Sequence, residues 1–328
     1  MSRTIGRVLL GFFALTGVAG AQQNPREPLF VSPQWVKEHL KDPNVVILHV
    51  GDKTKFGAGH IPGARYIEMQ DISQADTTGF GEVLKRFPQA NLPKFIGPQN
   101  GLGLEMLAPD VLRKQLESFG IADDSKIVVY EEGQWISPST RVMFTLDYAG
   151  LGARTVMLDG GFAAWKDANN EISTDTLTRA KPGRLSALKI RSPLIVNAEY
   201  MNANGHTPGV SLVDARTANF YDGVPPTSRN GGAERRLGHI PGAKSLPFNS
   251  LNEESGKLKP AADLRDIFTK AGVQPGDTVV AYCHVGQQAT AVIFAARTLG
   301  HPVKLFDGSW DEWNKRTEFP VEVPPKKQ

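Results

Sequence analysis

One cysteine, Cys283, stands among 328 residues, and that scarcity excludes a great deal. A single thiol rules out an intrachain disulfide framework and the paired-cysteine spacing of a structural zinc site. The seven histidines are scattered along the chain, so no Cys/His metal motif exists and no metal is expected. Beyond the first 21 residues no apolar run approaches the roughly 20 residues that a bilayer requires, so no membrane partner is expected. Charge is nearly balanced, with 37 basic and 34 acidic side chains and a net charge of +3. Nucleic acid is therefore not an expected partner.

What is present begins with a leader. Arg3 and Arg7 flank the start of the apolar run Val8–Leu15, and Ala19-Gly20-Ala21 follows just before Gln22. A charged start, a short apolar core and an A-x-A site are the layout of a secretory signal peptide. Cleavage near Ala21 is expected, giving a periplasmic or secreted protein. Loss of Arg3 and Arg7 lowers the formal charge from +3 to +1. Exported chains commonly pair their cysteines, so an odd one points to an intermolecular bridge or a reactive thiol.

The chain is organised around Asp277–Gly300. Thr278, Val279, Val280, Ala281 and Tyr282 form a short apolar, β-branched run with the length of a buried strand. Cys283 ends it, and Gly286 follows in a tight polar loop. From Ala289 the spacing becomes helical, through Val292, Ile293, Ala296 and Leu299, until Gly300 stops it. A strand, a short loop and a helix start turn backbone N–H groups inward, a setting suited to an anion or a thiolate. A lone cysteine is ordinarily a small buried hydrophobe. At the mouth of such a loop, Cys283 reads as a nucleophile.

The rest of the chain repeats itself. Val31-Ser32-Pro33-Gln34-Trp35 matches Val196-Asn197-Ala198-Glu199-Tyr200, with Ser32 and Asn197 placed as helix caps. Gly59-His60-Ile61-Pro62-Gly63-Ala64 matches Gly238-His239-Ile240-Pro241-Gly242-Ala243, and Leu158–Trp165 matches Phe306–Trp313. His60 and His239 fall at equivalent positions, which suits a structural role. Two domains follow, residues 28–172 and 193–322, joined by a polar linker over 173–192 that carries Pro182 and Gly183. Strands are expected at Val45–Val50, Ile127–Tyr130, Thr155–Leu158, Ser211–Val213, Thr278–Tyr282 and Val303–Phe306. They alternate with amphipathic helices, which makes each domain α/β, a parallel sheet covered by helices on both faces. From His60 to Asp159 is 99 residues, and from His239 to Asp307 is 68. The extra length lies around residues 77–105, and both a cleft wall and a surface decoration are open to it.

Y-C-H-V-G-Q-Q-A from Tyr282, D-G-S-W-D-E-W from Asp307 and G-H-I-P-G-A from Gly238 together resemble the catalytic half of a two-domain rhodanese-type sulfurtransferase. The resemblance covers nearly the whole chain after the leader. It implies a thiosulfate sulfurtransferase-like enzyme in which Cys283 takes the outer sulfur of thiosulfate, or of a similar donor, and carries it as a persulfide. The partners are then a small sulfur donor and a thiophilic acceptor such as cyanide, a thiol or a protein thiol. No cofactor is implied.

The loop His284, Val285, Gly286, Gln287 and Gln288 would hold the charge, with Gly286 supplying positive φ. Asp214 and Arg216 match the family's D-x-R mark, and an ion pair bracing the loop is the favoured reading. Arg229, Arg235 and Arg236 read as a solvated face or as a guide for anions. Trp310 and Trp313 read as core anchors. The first domain reads as degenerate, because aligning Ile127–Glu132 on Thr278–Cys283 puts Glu132 in the place of the cysteine. Glu131 and Glu132 point to opposite faces of an extended segment, which argues against an acid/base pair.

The chain departs from the family in its loop. Thiosulfate enzymes carry C-R-K-G and mercaptopyruvate enzymes C-G-S-G where this chain has Cys283-His284-Val285-Gly286. Val285 offers no charge to a sulfonate, and His284 does so only when protonated. Two other readings stand beside thiosulfate transfer: a 3-mercaptopyruvate sulfurtransferase, and a non-catalytic persulfide carrier or binding module. A phosphatase or arsenate reductase would need an arginine where Ala289 stands.

Overall fold

Short apolar, β-branched runs set two sheets. The computed structural model describes residues 24–77, 93–133, 135–175, 181–224 and 236–324. In the first half the strands are β1 (Phe30–Val31), β2 (Val45–Val50), β3 (Arg65–Ile67), β4 (Ser73–Gln74), β5 (Glu105–Met106), β6 (Lys126–Glu131) and β7 (Thr155–Leu158). The second half has β8 (Ile195–Val196), β9 (Val210–Asp214), β10 (Lys244–Ser245), β11 (Thr278–Tyr282) and β12 (Val303–Phe306). Four expected strands keep their bounds, and β6 and β9 each extend one residue further at both ends.

The first sheet has the order β1-β7-β6-β2-β3 and the second β10-β9-β11-β12-β8. Every pairing in the two sheets is parallel. Read from opposite ends, the two orders are one topology used twice. Ser32 caps its helix by accepting from the Trp35 N–H at 3.1 Å, and Asn197 does the same for Tyr200 at 3.0 Å.

The pleat sorts the side chains into three buried clusters. Ile127 and Val129 of β6 and Val279 and Ala281 of β11 face a core shared by both halves. Val128 and Tyr130 face a core of the first half alone, and Val280 and Tyr282 one of the second. The shared core holds the Ser137–Tyr148 and Ala289–Thr298 helices. These helices are not amphipathic as expected. Nine of the ten residues of Ala289–Thr298 are buried, because the helix lies between two apolar faces and has no solvent side. The pair runs in one direction: Thr140 Oγ1 meets Thr290 Oγ1 at 2.9 Å near the start, and Arg297 Nη1 meets Asp147 Oδ2 at 3.0 Å near the end. Phe30 closes edge-on against Phe294, with ring centres 5.4 Å apart.

The described part of the connection between halves lies along the first. Leu185 is buried and donates to Glu117 Oε1 at 3.0 Å, and the Arg191 N–H reaches Tyr148 O at 2.8 Å. Residues 78–92 of the long excursion, Arg229, Arg235 and the leader lie outside the described residues. The rest of the excursion touches the second half, where Lys315 Nζ donates to Gly101 O, and just beyond it the Met106 N–H donates to Asp307 Oδ2 at 2.8 Å. Among the described residues no helix is long and apolar enough to cross a membrane.

Candidate functional site

Alternation along β11 aims Cys283 into the shared core, and its side chain has no exposed surface. Both of its backbone groups are tied down. Its N–H donates to Ser309 Oγ at 3.2 Å, and its carbonyl accepts from the Trp310 N–H at 3.0 Å. Ser309 is itself buried and has φ of 52°, a left-handed conformation that costs a non-glycine residue about 1–3 kcal/mol. Its hydroxyl holds it there by also donating to Phe306 O at 2.8 Å.

Beyond Cys283 the carbonyls of His284, Gly286 and Gln287 are spent and the amides of residues 285–288 are not. His284 O accepts from the Asp311 N–H at 3.0 Å, Gly286 O from Arg141 Nη1 at 3.2 Å, and Gln287 O from Thr290 Oγ1 at 2.6 Å. The N–H groups of Val285, Gly286, Gln287 and Gln288 find no acceptor among the described residues. An N–H left unpaired away from water costs about 1–3 kcal/mol, and an anion in the loop removes that cost. The Ala289–Thr298 helix opens directly behind, without a side-chain cap at Gln288. Gly286 is required twice. Its φ is +79°, and a Cβ there would lie 2.7 Å from Asp307 O and 2.9 Å from Asp307 Oδ1.

The other sequence-derived residues divide. His284 sets its ring edge-on to Phe220 at 4.5 Å. Val285 and Gln287 are half-buried, and Gln288 Oε1 is buried with no partner among the described residues. Asp214 and Arg216 form a buried pair, Nη2 to Oδ2 at 2.6 Å and Nε to Oδ1 at 3.0 Å. They lie with Tyr282 on the sheet face opposite Cys283: the Tyr282 hydroxyl donates to Asp214 Oδ2 at 2.8 Å, and the Arg216 guanidinium sits 4.2 Å above the Trp310 ring. They brace the strand end from behind. Burial, then the Asp214 carboxylate, pushes the Tyr282 phenol well above its usual pKa. Trp310 and Trp313 are core residues. Arg236 binds the carbonyls of Phe319 and Trp313, a brace rather than a guide for anions.

The first half corrects the alignment. Tyr130 OH receives the Ile61 N–H at 3.1 Å, just as Tyr282 OH receives that of Ile240 at 3.1 Å. These tyrosines are equivalent, so Glu131, not Glu132, occupies the place of Cys283. Matching apolar runs by their ends slipped the register by one. Burial pushes the Glu131 carboxyl up to about 8, and its Oε2 has no partner among the described residues. Where the second half has Asp214 hydrogen-bonded to its tyrosine, the first has His49, with Nδ1 3.0 Å from Tyr130 OH. Burial, then the neighbouring His60, lowers the His49 imidazole to about 4. His60 and His239 each place Nδ1 2.9 Å from a backbone carbonyl, of Phe56 and of Tyr221.

Sequence reasoning passed over Arg141. It is 1 % exposed and crosses from the first half to the second, with Nη1 2.6 Å from Asp307 Oδ1. Its Nη2 donates to Leu104 O at 2.6 Å. One signal was visible: it is the sole basic residue within Ser137–Tyr148, which is otherwise mostly apolar or small. Among the described residues no group of three or more His, Cys, Asp or Glu side chains is placed to hold a metal.

A model of the rhodanese-like domain matches residues 32–168 and again 197–316. The 3-mercaptopyruvate sulfurtransferase of Escherichia coli K12 is 28% identical over 304 residues, 89% of this chain and 97% of that protein. The thiosulfate sulfurtransferase of Azotobacter vinelandii is 25% identical over 303 residues, 90% of this chain and 97% of that one. A sulfur carrier protein of Thermus thermophilus is 28% identical over 306 residues, 89% and 96% of the two chains. In fold, the chain superposes on the anaerobic ergothioneine biosynthesis enzyme of Chlorobium limicola with a TM-score of 0.72 at 20% identity, covering 92% of this chain and 71% of that one.

Proposed function

This chain belongs to the family of rhodanese-like domains, of which it carries two copies, and we propose that it moves the sulfane sulfur of thiosulfate to a thiophilic acceptor through Cys283. Its relatives are named sulfurtransferases, and the chain is an enzyme of that type. In the proposed cycle the Cys283 thiolate attacks the outer sulfur of thiosulfate. The S–S bond of the donor breaks, sulfite leaves with the electron pair, and a persulfide remains on Cys283. Cyanide or a thiolate then takes the outer sulfur and returns the thiolate. Each step begins and ends with negative charge at the loop, where the free N–H groups of residues 285–288 meet it.

One observation carries this reading. Around the chain's one thiol, the carbonyls of His284, Gly286 and Gln287 are taken up while the amides of residues 285–288 find no acceptor among the described residues. Thiosulfate is taken as the donor because it is a small dianion whose charge the N–H groups of residues 285–288 can meet without a cationic side chain in the loop. The relative named a sulfur carrier protein supports a protein thiol as an alternative acceptor. Phosphoryl chemistry has no support, since Ala289 stands where an oxyanion-gripping arginine would be required.

Steady-state kinetics on the mature protein, with thiosulfate and with 3-mercaptopyruvate in parallel, tests the donor. Higher kcat/KM with 3-mercaptopyruvate would overturn the choice of thiosulfate. Incubation with thiosulfate should add the mass of one sulfur to the Cys283 peptide, and cyanide should remove it as thiocyanate. From the leader we propose export, with Gln22 as the mature N-terminus. N-terminal sequencing of the exported protein showing Met1 would remove that claim.

A further inference from the structure

We propose that Arg141, a residue of the copy that carries no nucleophile, is the positioning residue that holds the Cys283 loop in its anion-binding form. The inference rests on the proposed role of Cys283, and it concerns how the loop is kept open to an anion. A peptide unit has two faces, and turning its carbonyl outward turns the next N–H inward. At Gly286 the outward carbonyl is held by Arg141 Nη1 at 3.2 Å. The same Nη1 meets Asp307 Oδ1 at 2.6 Å, and Asp307 lies against Gly286, where a Cβ would stand 2.9 Å from that oxygen. Nη2 anchors the guanidinium to Leu104 O at 2.6 Å in its own half. Asp307 is fixed from the other side by the Met106 N–H at 2.8 Å.

Two groups of the first half therefore set the orientation of one peptide in the second. The guanidinium is 1 % exposed, so its removal takes away the one protein donor that the Gly286 carbonyl has among the described residues. That carbonyl then turns toward another donor, and the N–H that follows it leaves the loop interior. The cross-half pair between Arg297 and Asp147 joins the same two helices at their far end, at 3.0 Å. It serves as the control, because it ties the halves together without touching the loop.

The test is the rate of Cys283 alkylation by iodoacetamide as a function of pH, which reads the thiolate with no sulfur donor present. Loss of the inward amides in Arg141→Ala should raise the midpoint of this curve by about one pH unit. It should also lower kcat/KM for thiosulfate about 100-fold, the scale of a misplaced catalytic group. Arg297→Ala should keep the wild-type curve. Arg141→Lys keeps a charge for Asp307 but lacks the second donor arm, so its midpoint should fall between those of wild type and Arg141→Ala. That variant also serves if alanine prevents folding. A wild-type curve in either Arg141 variant, or an equal shift in Arg297→Ala, overturns the proposal. A wild-type protein that never gains sulfur would instead remove the sulfurtransferase cycle, and the alkylation curves would still decide the role of Arg141.

Discussion

Two loops at the same place in one topology have been driven to opposite electrostatic ends. In the second half the strand delivers Cys283 to a turn whose amides at residues 285–288 find no acceptor among the described residues, with Gly286 in a left-handed conformation behind it. In the first half the same strand position delivers Glu131, whose burial raises its pKa to about 8 and so favours a neutral carboxyl. One loop is arranged to stabilise a negative charge, and the other suppresses one. The comparison teaches that loss of the nucleophile did not free the first half from the site. Its helix contributes Arg141 to the partner loop and its supporting aspartate, the Met106 N–H reaches the same aspartate, and Leu104 O of the long excursion anchors Arg141 from behind.

The largest expected effect separates the two loops outright. Cys283→Ser should fold, gain no sulfur and lose turnover by more than about a thousandfold, the scale seen when a nucleophile is removed. Glu131→Gln and Glu132→Ala should stay within about threefold of wild type, less than ~1 kcal/mol in barrier. Mass spectrometry of the Cys283 peptide and a thiocyanate assay check both. A glutamate variant that folds normally and falls as far as Cys283→Ser would make both loops catalytic.

The glycines sharpen the contrast at a smaller scale. Gly286→Ala forces a side chain into a left-handed conformation, at about 1–2 kcal/mol, and drives its Cβ to 2.7 Å from Asp307 O. A loss of roughly 2–3 kcal/mol in denaturant unfolding is expected, with activity falling further because the amides move. In the first loop a Cβ on Gly133 meets nothing within 4 Å, so Gly133→Ala should lie within about 0.5 kcal/mol of wild type. Equal losses would mean that the Cys283 loop is no more tightly constructed than its degenerate copy.

Much of this contrast was legible in the chain. A β-branched run, a polar turn with Gly286 and a helical period place a strand, loop and helix around Cys283, and all three form. The repeated G-H-I-P-G-A and D-G motifs disclose two copies, and both sheets have the same order. Two things were not legible. The register of the first loop turns on a tyrosine hydroxyl reaching a backbone N–H 69 positions away, which no local alignment of apolar residues can see. The partner of Arg141 is 166 positions away in the other copy. A basic residue in a helix ordinarily reads as a solvated one, and only the packing of two helices against each other buries it. The helices misread as amphipathic fail for the same reason: sequence periodicity reports one buried face, and here the second is covered by the other half.

The smallest effect expected is on stability, and its sign follows from the two titrating groups of the first half. The Glu131 carboxyl rises from its ordinary 4.5 to about 8 on burial. Between those values the folded chain holds a proton that the unfolded chain has released, so stability falls as pH rises. The His49 imidazole moves the other way, from 6.5 to about 4. Between those values the unfolded chain holds the extra proton, so stability falls as pH falls. From pH 4.5 to 6.5 the two slopes oppose each other, and from 6.5 to 8 only the Glu131 slope of this pair remains. Denaturant unfolding across that upper window should show wild-type stability declining by at most about 1.4 kcal/mol per pH unit, the limit for one proton. Glu131→Gln keeps the shape of the neutral acid and cannot ionise, so its curve should be flatter and should cross above wild type toward pH 8. If wild type and Glu131→Gln decline in parallel, the Glu131 carboxyl is not held neutral, and the two loops differ in their nucleophile without differing in the sign of charge they favour.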